Sequence, residues 1–147
     1  MQLGNDVKIT RVNNAAVAGS TDIEATGVDM SGFDGVLFIA AVGTLTATQV
    51  TSLHAQQSDD DGSADAYSDL IGSSVGAMAD GDSNKLLVLD VRNPQKRWVR
   101  PVLDRATANA VLDGIVAIQY AARARPSVQP ASVSKFKAVV GPAEGTP

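Results

Sequence analysis

Gly35-Val36-Leu37-Phe38-Ile39-Ala40-Ala41-Val42-Gly43 sets seven apolar residues in a row between two glycines. The run is far shorter than the ~20 residues a membrane helix needs, and it has the length of a strand. A strand with one wet face alternates apolar with polar residues. Here Val36, Phe38 and Ala40 point one way while Leu37, Ile39 and Val42 serve the other, so both faces are expected to be dry. The rest of the chain must cover one face, and a second protein surface is expected to cover part of the other.

The same signal returns in Lys85-Leu86-Leu87-Val88-Leu89-Asp90-Val91 and in Gly114 to Ala122, which is largely apolar. Around these lie shorter elements. Val7 to Val12 alternates and reads as a half-buried first strand, closed by an Asn13-Asn14 turn. Thr21 to Thr26 reads as a second short strand with Ile23 pointing in. Thr48 to Gln56 is rich in β-branched residues and stops at Ser58-Asp59-Asp60-Asp61-Gly62, so it reads as a strand. Tyr67 to Gly81 fits neither period and is expected to be a long excursion with one helical turn. Arg97 to Leu103 reads as a strand at an edge or with a bulge, because Pro101 cannot donate to a ladder. Arg105 to Asp113 reads as a connector, helical over Ala106 to Leu112.

Seven or eight short strands with turn signals between them give an all-β fold, an antiparallel β-sandwich or jelly roll over residues 1–122. Beyond Ala122 the composition shifts to an extended basic and proline-rich C-terminal arm, residues 123–147. Within it Val133 to Val140 alternates well enough to add a strand to a sheet edge, and Gly141 to Pro147 reads as disordered.

A chain of 147 residues is one domain's worth, and the absence of cysteine excludes disulfides and thiolate metal sites. The N-terminus has neither the basic nor the apolar region of a signal peptide, so synthesis in a cytosol is expected, without membrane attachment. The net charge of −4 argues against a nucleic-acid binder, which must neutralise phosphates. That charge is uneven. Arg123, Arg125, Lys135 and Lys137 against Glu144 make the arm +3 and leave −7 for the body, so the arm is expected to lie on an acidic surface, its own or a neighbour's.

Motifs for chemistry are weak. Gly72-Ser73-Ser74-Val75-Gly76 matches the nucleophile elbow, but an elbow needs a parallel α/β sheet and a histidine later in the chain, and the sole histidine, His54, precedes it. One imidazole does not make a metal site. The Asp59 to Asp61 turn, with Asp65 and Asp69, fails the EF-hand template because Ala64 stands where glycine is required, and it reads as a solvated acidic turn. No catalytic, cofactor-binding or metal-binding residue is assigned. Arg92, Lys96, Arg97, Arg100 and Arg105 form a basic stretch with only Trp98 to stack on a base, so an acidic protein partner or the chain's own aspartates suit it better than nucleic acid.

Four stretches in order and spacing carry a resemblance: Val28-Asp29-Met30-Ser31-Gly32-Phe33-Asp34-Gly35-Val36-Leu37-Phe38, the Gln57 to Gly62 turn, Lys96-Arg97-Trp98-Val99-Arg100, and a closing strand into Ala124-Arg125-Pro126. Over residues 20–126 they resemble small proteins encoded among the head genes of tailed bacteriophages, above all the cement or decoration proteins of icosahedral heads. The resemblance implies a sandwich or jelly roll, a dimer or trimer bound to the major capsid protein on the capsid exterior, synthesis in the bacterial host cytoplasm, and no catalysis. The partner-facing candidates are then Arg97, Arg100, Arg123, Arg125, Lys135, Phe136 and Lys137, with the arm reaching to a neighbouring capsid subunit. A phage tail-tube or head-completion protein is the nearest rival. A carbohydrate-binding module would share the sandwich but normally displays more exposed aromatics than three Phe, two Tyr and one Trp supply.

Overall fold

The computed structural model describes residues 2–146. They form one short helix, α1 (Leu3–Asp6), and ten strands: β1 (Lys8–Asn13), β2 (Ala16–Gly19), β3 (Ile23–Glu24), β4 (Val28–Asp29), β5 (Gly35–Leu45), β6 (Val50–Ser58), β7 (Ser68–Asp69), β8 (Leu86–Arg92), β9 (Trp98–Ala106) and β10 (Ala110–Tyr120). Two antiparallel sheets result. The first runs β1-β10-β5-β8, with β2 continuing β1 along β10; the second runs β3-β9-β6-β7, with β4 continuing β3 along β9.

The pairing follows one rule. β1 and β2 pair with β10, β3 and β4 with β9, β5 with β8, and β6 with β7, so the chain is a long ribbon folded back on itself with its tip at residues 59–67. Rolling that ribbon sets β5 against β10 and β6 against β9 and closes both sheets. Counting β1 with β2 and β3 with β4 leaves eight strands wound as a jelly roll.

Between the sheets lies one core. Val36, Phe38, Ala40 and Val42 of β5, with Leu112, Ile115 and Ala117 of β10, meet Leu53 and Ala55 of β6 and Val99 and Leu103 of β9, all buried. Each large side chain there contributes about 1.5–3 kcal/mol by leaving water. Two polar groups tie the layers together. Gln119 of β10 is fully buried and its Nε2 donates to the Asp29 carbonyl of the opposite sheet at 2.7 Å. At the far end the buried Arg105 guanidinium donates to the carbonyls of Thr21, Val17 and Ala110 at 2.8, 3.1 and 2.9 Å, pinning the β2–β3 connection to the β9–β10 turn.

Several expectations change. Ala106 to Leu112 is not helical: β9 runs to Ala106 and β10 starts at Ala110, with a tight turn between them in which Thr107 has φ 68. Alanine-rich local preference gives way to burial of Ala110 and Leu112 in the ladder. The excursion 67–81 contains β7 and turns but no helical turn. Pro101 lies in an interior strand, with β6 on one side and β3 and β4 on the other. Its missing donor falls opposite the gap between β3 and β4, where its carbonyl accepts from Ala25 N–H at 3.1 Å, so the irregularity is in the partner. Val42 joins the inner row of β5. In the arm Val133 to Val140 forms no strand, and residues 141–146 have neither strand nor helix; Pro147 lies outside the described residues.

Candidate functional site

The two sheets present opposite kinds of outer face. On β6 and β9 most outward side chains are polar and wired together, with the apolar Val50, Trp98 and Val102 among them: Ser52 Oγ donates to Asp104 Oδ2 at 2.8 Å, His54 Nδ1 lies 2.9 Å from the same oxygen, and Arg100 Nε donates to Gln56 Oε1 at 2.8 Å. Arg100 also pairs with Glu24 at 3.1 Å and lies 4.3 Å above the Tyr67 ring. Such a face is satisfied by itself.

The outer face of the first sheet is apolar. Cross-strand register aligns Ile9, Ile118 and Leu37 in one row, Val116, Ile39 and Val88 in the next, and Ala41 beside Leu86 in a third. Leu86 and Val88 are 59% and 48% exposed, and the β5 and β10 members are half-buried by one another. Every described strand belongs to one of the two sheets, so no second layer of strands lies over these rows. The central strand therefore has one dry face and one apolar face left half open. Three rows across strands about 4.8 Å apart give the patch a footprint of roughly 400 Å², the size of the largest apolar patch on a typical monomer, which is often functional. Charged or polar groups frame it: Arg11 at the β1 side, and at one end Asp90, whose carboxylate accepts from the Tyr120 hydroxyl at 2.7 Å. Burial, then that bond, pushes the Tyr120 phenol up to about 12. The tyrosine reaches Asp90 by lying across Gly35, where any Cβ would collide with its ring.

The seven predicted partner residues do not converge on this patch. Arg97 makes a two-pronged pair with Asp29, at 2.9 Å from Nε and 2.6 Å from Nη2, and the guanidinium holds the Asp29 carboxyl below its usual range. Arg100 is spent on the polar face described above. Arg123 pairs with Asp34 at 3.1 Å and Arg125 with Asp6 at 3.4 Å. Lys135, Phe136 and Lys137 are exposed, with the Phe136 ring seated close against Gly4. The arm is folded back on its own body. Gln129 Oε1 accepts from Ile9 N–H at 2.9 Å, Ser132 Oγ accepts from Arg11 N–H at 3.2 Å, and Ser127 N–H donates to the Asn5 carbonyl at 2.8 Å. These bonds cap the outer edge of β1 with side chains in place of a strand.

Sequence reading missed the patch as a unit because register is not visible in periodicity; the available signal was the lack of alternation in β5. The acidic turn is wired inward. Asp60 accepts from the N–H groups of Gly62, Ala64 and Asp65, and the Lys96 ammonium, 2.6 Å from Asp65, holds that carboxyl below its ordinary value. Among the described residues no group of carboxylates and imidazole is arranged to hold a metal ion. His54, Asp69, Ser73, Ser74 and Asp104 line a shallow cleft of about 380 Å³. Both ring nitrogens of His54 face carboxylates, Asp104 at 2.9 Å and Asp69 at 3.2 Å, while Ser74 Oγ accepts from Gly76 N–H at 3.4 Å. No helix of the described residues is long and apolar enough to cross a membrane. Compared with protein-family models and with curated protein sequences, the chain matches none.

Proposed function

We propose that this chain is a structural virion protein that binds the outer surface of a phage icosahedral head and stabilises the shell as a cement or decoration protein. One observation carries the reading: the outer face of the first sheet is apolar and half open, while that of the second is mostly polar, its polar groups bonded to one another. A shell-binding protein works by many modest repeated contacts, and a flat apolar patch of this size suits that use. The resemblance over residues 20–126 and a jelly-roll topology, which recurs in viral capsid domains, support it as analogy. The partners are the major capsid protein and further copies of the chain.

Quantitative gels of purified particles test the reading. Abundance matching the major shell protein is expected; a few copies per particle points to a head-completion role, and absence from the particle ends the proposal. Ile39→Lys, at the patch centre, should abolish binding to heads stripped of the protein.

A further inference from the structure

Each sheet has two edges, and three of the four are closed. The β1 edge is capped by Gln129 and Ser132 of the arm. Beyond the two-residue β7, the β6 edge is closed by the following loop: Leu70, Val75 and Met78 N–H groups donate to the carbonyls of Ala55, Leu53 and Thr51 at 2.9, 3.0 and 2.8 Å. The edge made by β3 and β4 is two short pieces with a break between them. Short, interrupted or covered edges are how β proteins avoid unwanted pairing.

Although the loop at residues 70–73 faces the 89–92 end of β8 across an open cleft, no backbone or side-chain hydrogen bond among the described residues caps the outer edge of that strand. Its register with β5 is regular from Leu86 to Arg92, and it contains no proline or glycine. The bonds Val42 N–H to Lys85 carbonyl, 3.1 Å, and Asn93 N–H to Asp34 carbonyl, 2.7 Å, fix the alternation at both ends. Leu87, Leu89 and Val91 therefore bond to β5, and Leu86, Val88 and Asp90 turn their N–H and C=O groups outward. Leu86 and Val88 are also the most exposed apolar residues of the patch.

The geometry points to antiparallel pairing of β8 with β8 of a second copy across a two-fold axis. Register selects itself among the options. With Leu86 opposite Val88 of the second copy, two apolar pairs form. Shifting by two residues either puts Leu86 against Asp90 or leaves Val88 opposite Asn84, whose φ of 61 places it in the turn before the strand, so in either case only one apolar pair remains. In the chosen register the Leu86 and Val88 pairs can exchange four backbone hydrogen bonds, and the two apolar patches join into one continuous surface. This takes the self-association in the proposed function and assigns it a surface. It is tested on purified protein without shells, so its failure and a failure of shell binding are read separately.

Sedimentation equilibrium of the full chain should show a dimer at micromolar concentration. Val88→Pro should be a folded monomer, because the N–H of residue 88 points outward and not to β5; Val88→Lys, which keeps the backbone intact, should also be monomeric, with the unfolding midpoint of the wild type diluted until it dissociates. The chain has no cysteine. An equimolar mixture of Leu86→Cys and Val88→Cys should therefore oxidise to mixed disulfide dimers, and each alone should cross-link at least tenfold less. A monomeric wild-type chain, a dimer that survives both Val88 variants, or equal cross-linking in all three samples overturns the proposal.

Discussion

Gly35→Ala probes the outer face at its tightest point. Tyr120 of β10 stands opposite Gly35 and lies across it to donate to Asp90 on β8, so one side chain bridges three strands. A Cβ at position 35 would fall on the ring atoms Cζ, Oη and Cε2. The tyrosine must then leave. Losing its bond to a carboxylate at the surface costs about 1–1.5 kcal/mol, and the forced displacement about 1–2 kcal/mol more. Replacing a strand glycine returns about 0.5–1 kcal/mol. The net loss is about 2 kcal/mol. Urea unfolding of the wild type, Gly35→Ala, Tyr120→Ala and the double variant measures it: the Gly35→Ala cost should vanish or reverse once Tyr120 is gone. An equal cost in both backgrounds refutes the reasoning. The pH dependence follows from the same contact. With its phenol pushed up to about 12 in the folded chain, against ~10 in the unfolded one, Tyr120 holds its proton more tightly when folded. Its contribution is complete below pH ~10 and is lost as pH climbs through the folded value. Tyr120→Phe should flatten that alkaline limb.

Arg105→Met keeps the volume but orphans three carbonyl acceptors at one end of the sandwich, and should cost about 3 kcal/mol in the same assay. Gln129→Ala should leave global stability within about 1 kcal/mol while amide exchange at Ile9 accelerates, because water replaces the lost cap at an exposed edge. Asp29→Asn should cost about 0.5–1 kcal/mol at neutral pH, as a surface pair does. The Asp29 carboxyl is held low by Arg97, so its contribution is present above pH ~4 and disappears as pH falls through the folded value; the variant should lack that acid-side decline.

The apolar runs that became β5, β8 and β10 were legible as strands from their length and flanking turn signals, but the two dry faces their lack of alternation implied are not found, since Leu86 and Val88 are exposed. What they could not reveal was which face would stay open. Val36 and Leu37 look alike in sequence, and only the cross-strand register with Val91 and Asp90 separates core from surface. Ala106 to Leu112 misled because alanine favours helix in isolation, whereas a turn of three residues lets β9 run to Ala106 and β10 start at the buried Ala110. The basic residues were visible as a class, yet their partners were not: Arg97 finds Asp29, and Arg123 finds Asp34, across sequence distances no local pattern spans. Gln119, a polar residue in an apolar strand, was the overlooked marker of an inter-sheet tie.

The ribbon topology also governs how the chain is born. β1 has no strand partner until Tyr120 has been made, and β3 and β4 wait for β9, so a ribosome releases most of the first half before anything can pair with it. Pairings this remote in sequence form slowly, on a scale of about milliseconds to seconds, and leave greasy strands bare meanwhile. Yield in a foreign host should thus depend on temperature and on chaperone supply more steeply than the finished protein's own robustness would suggest.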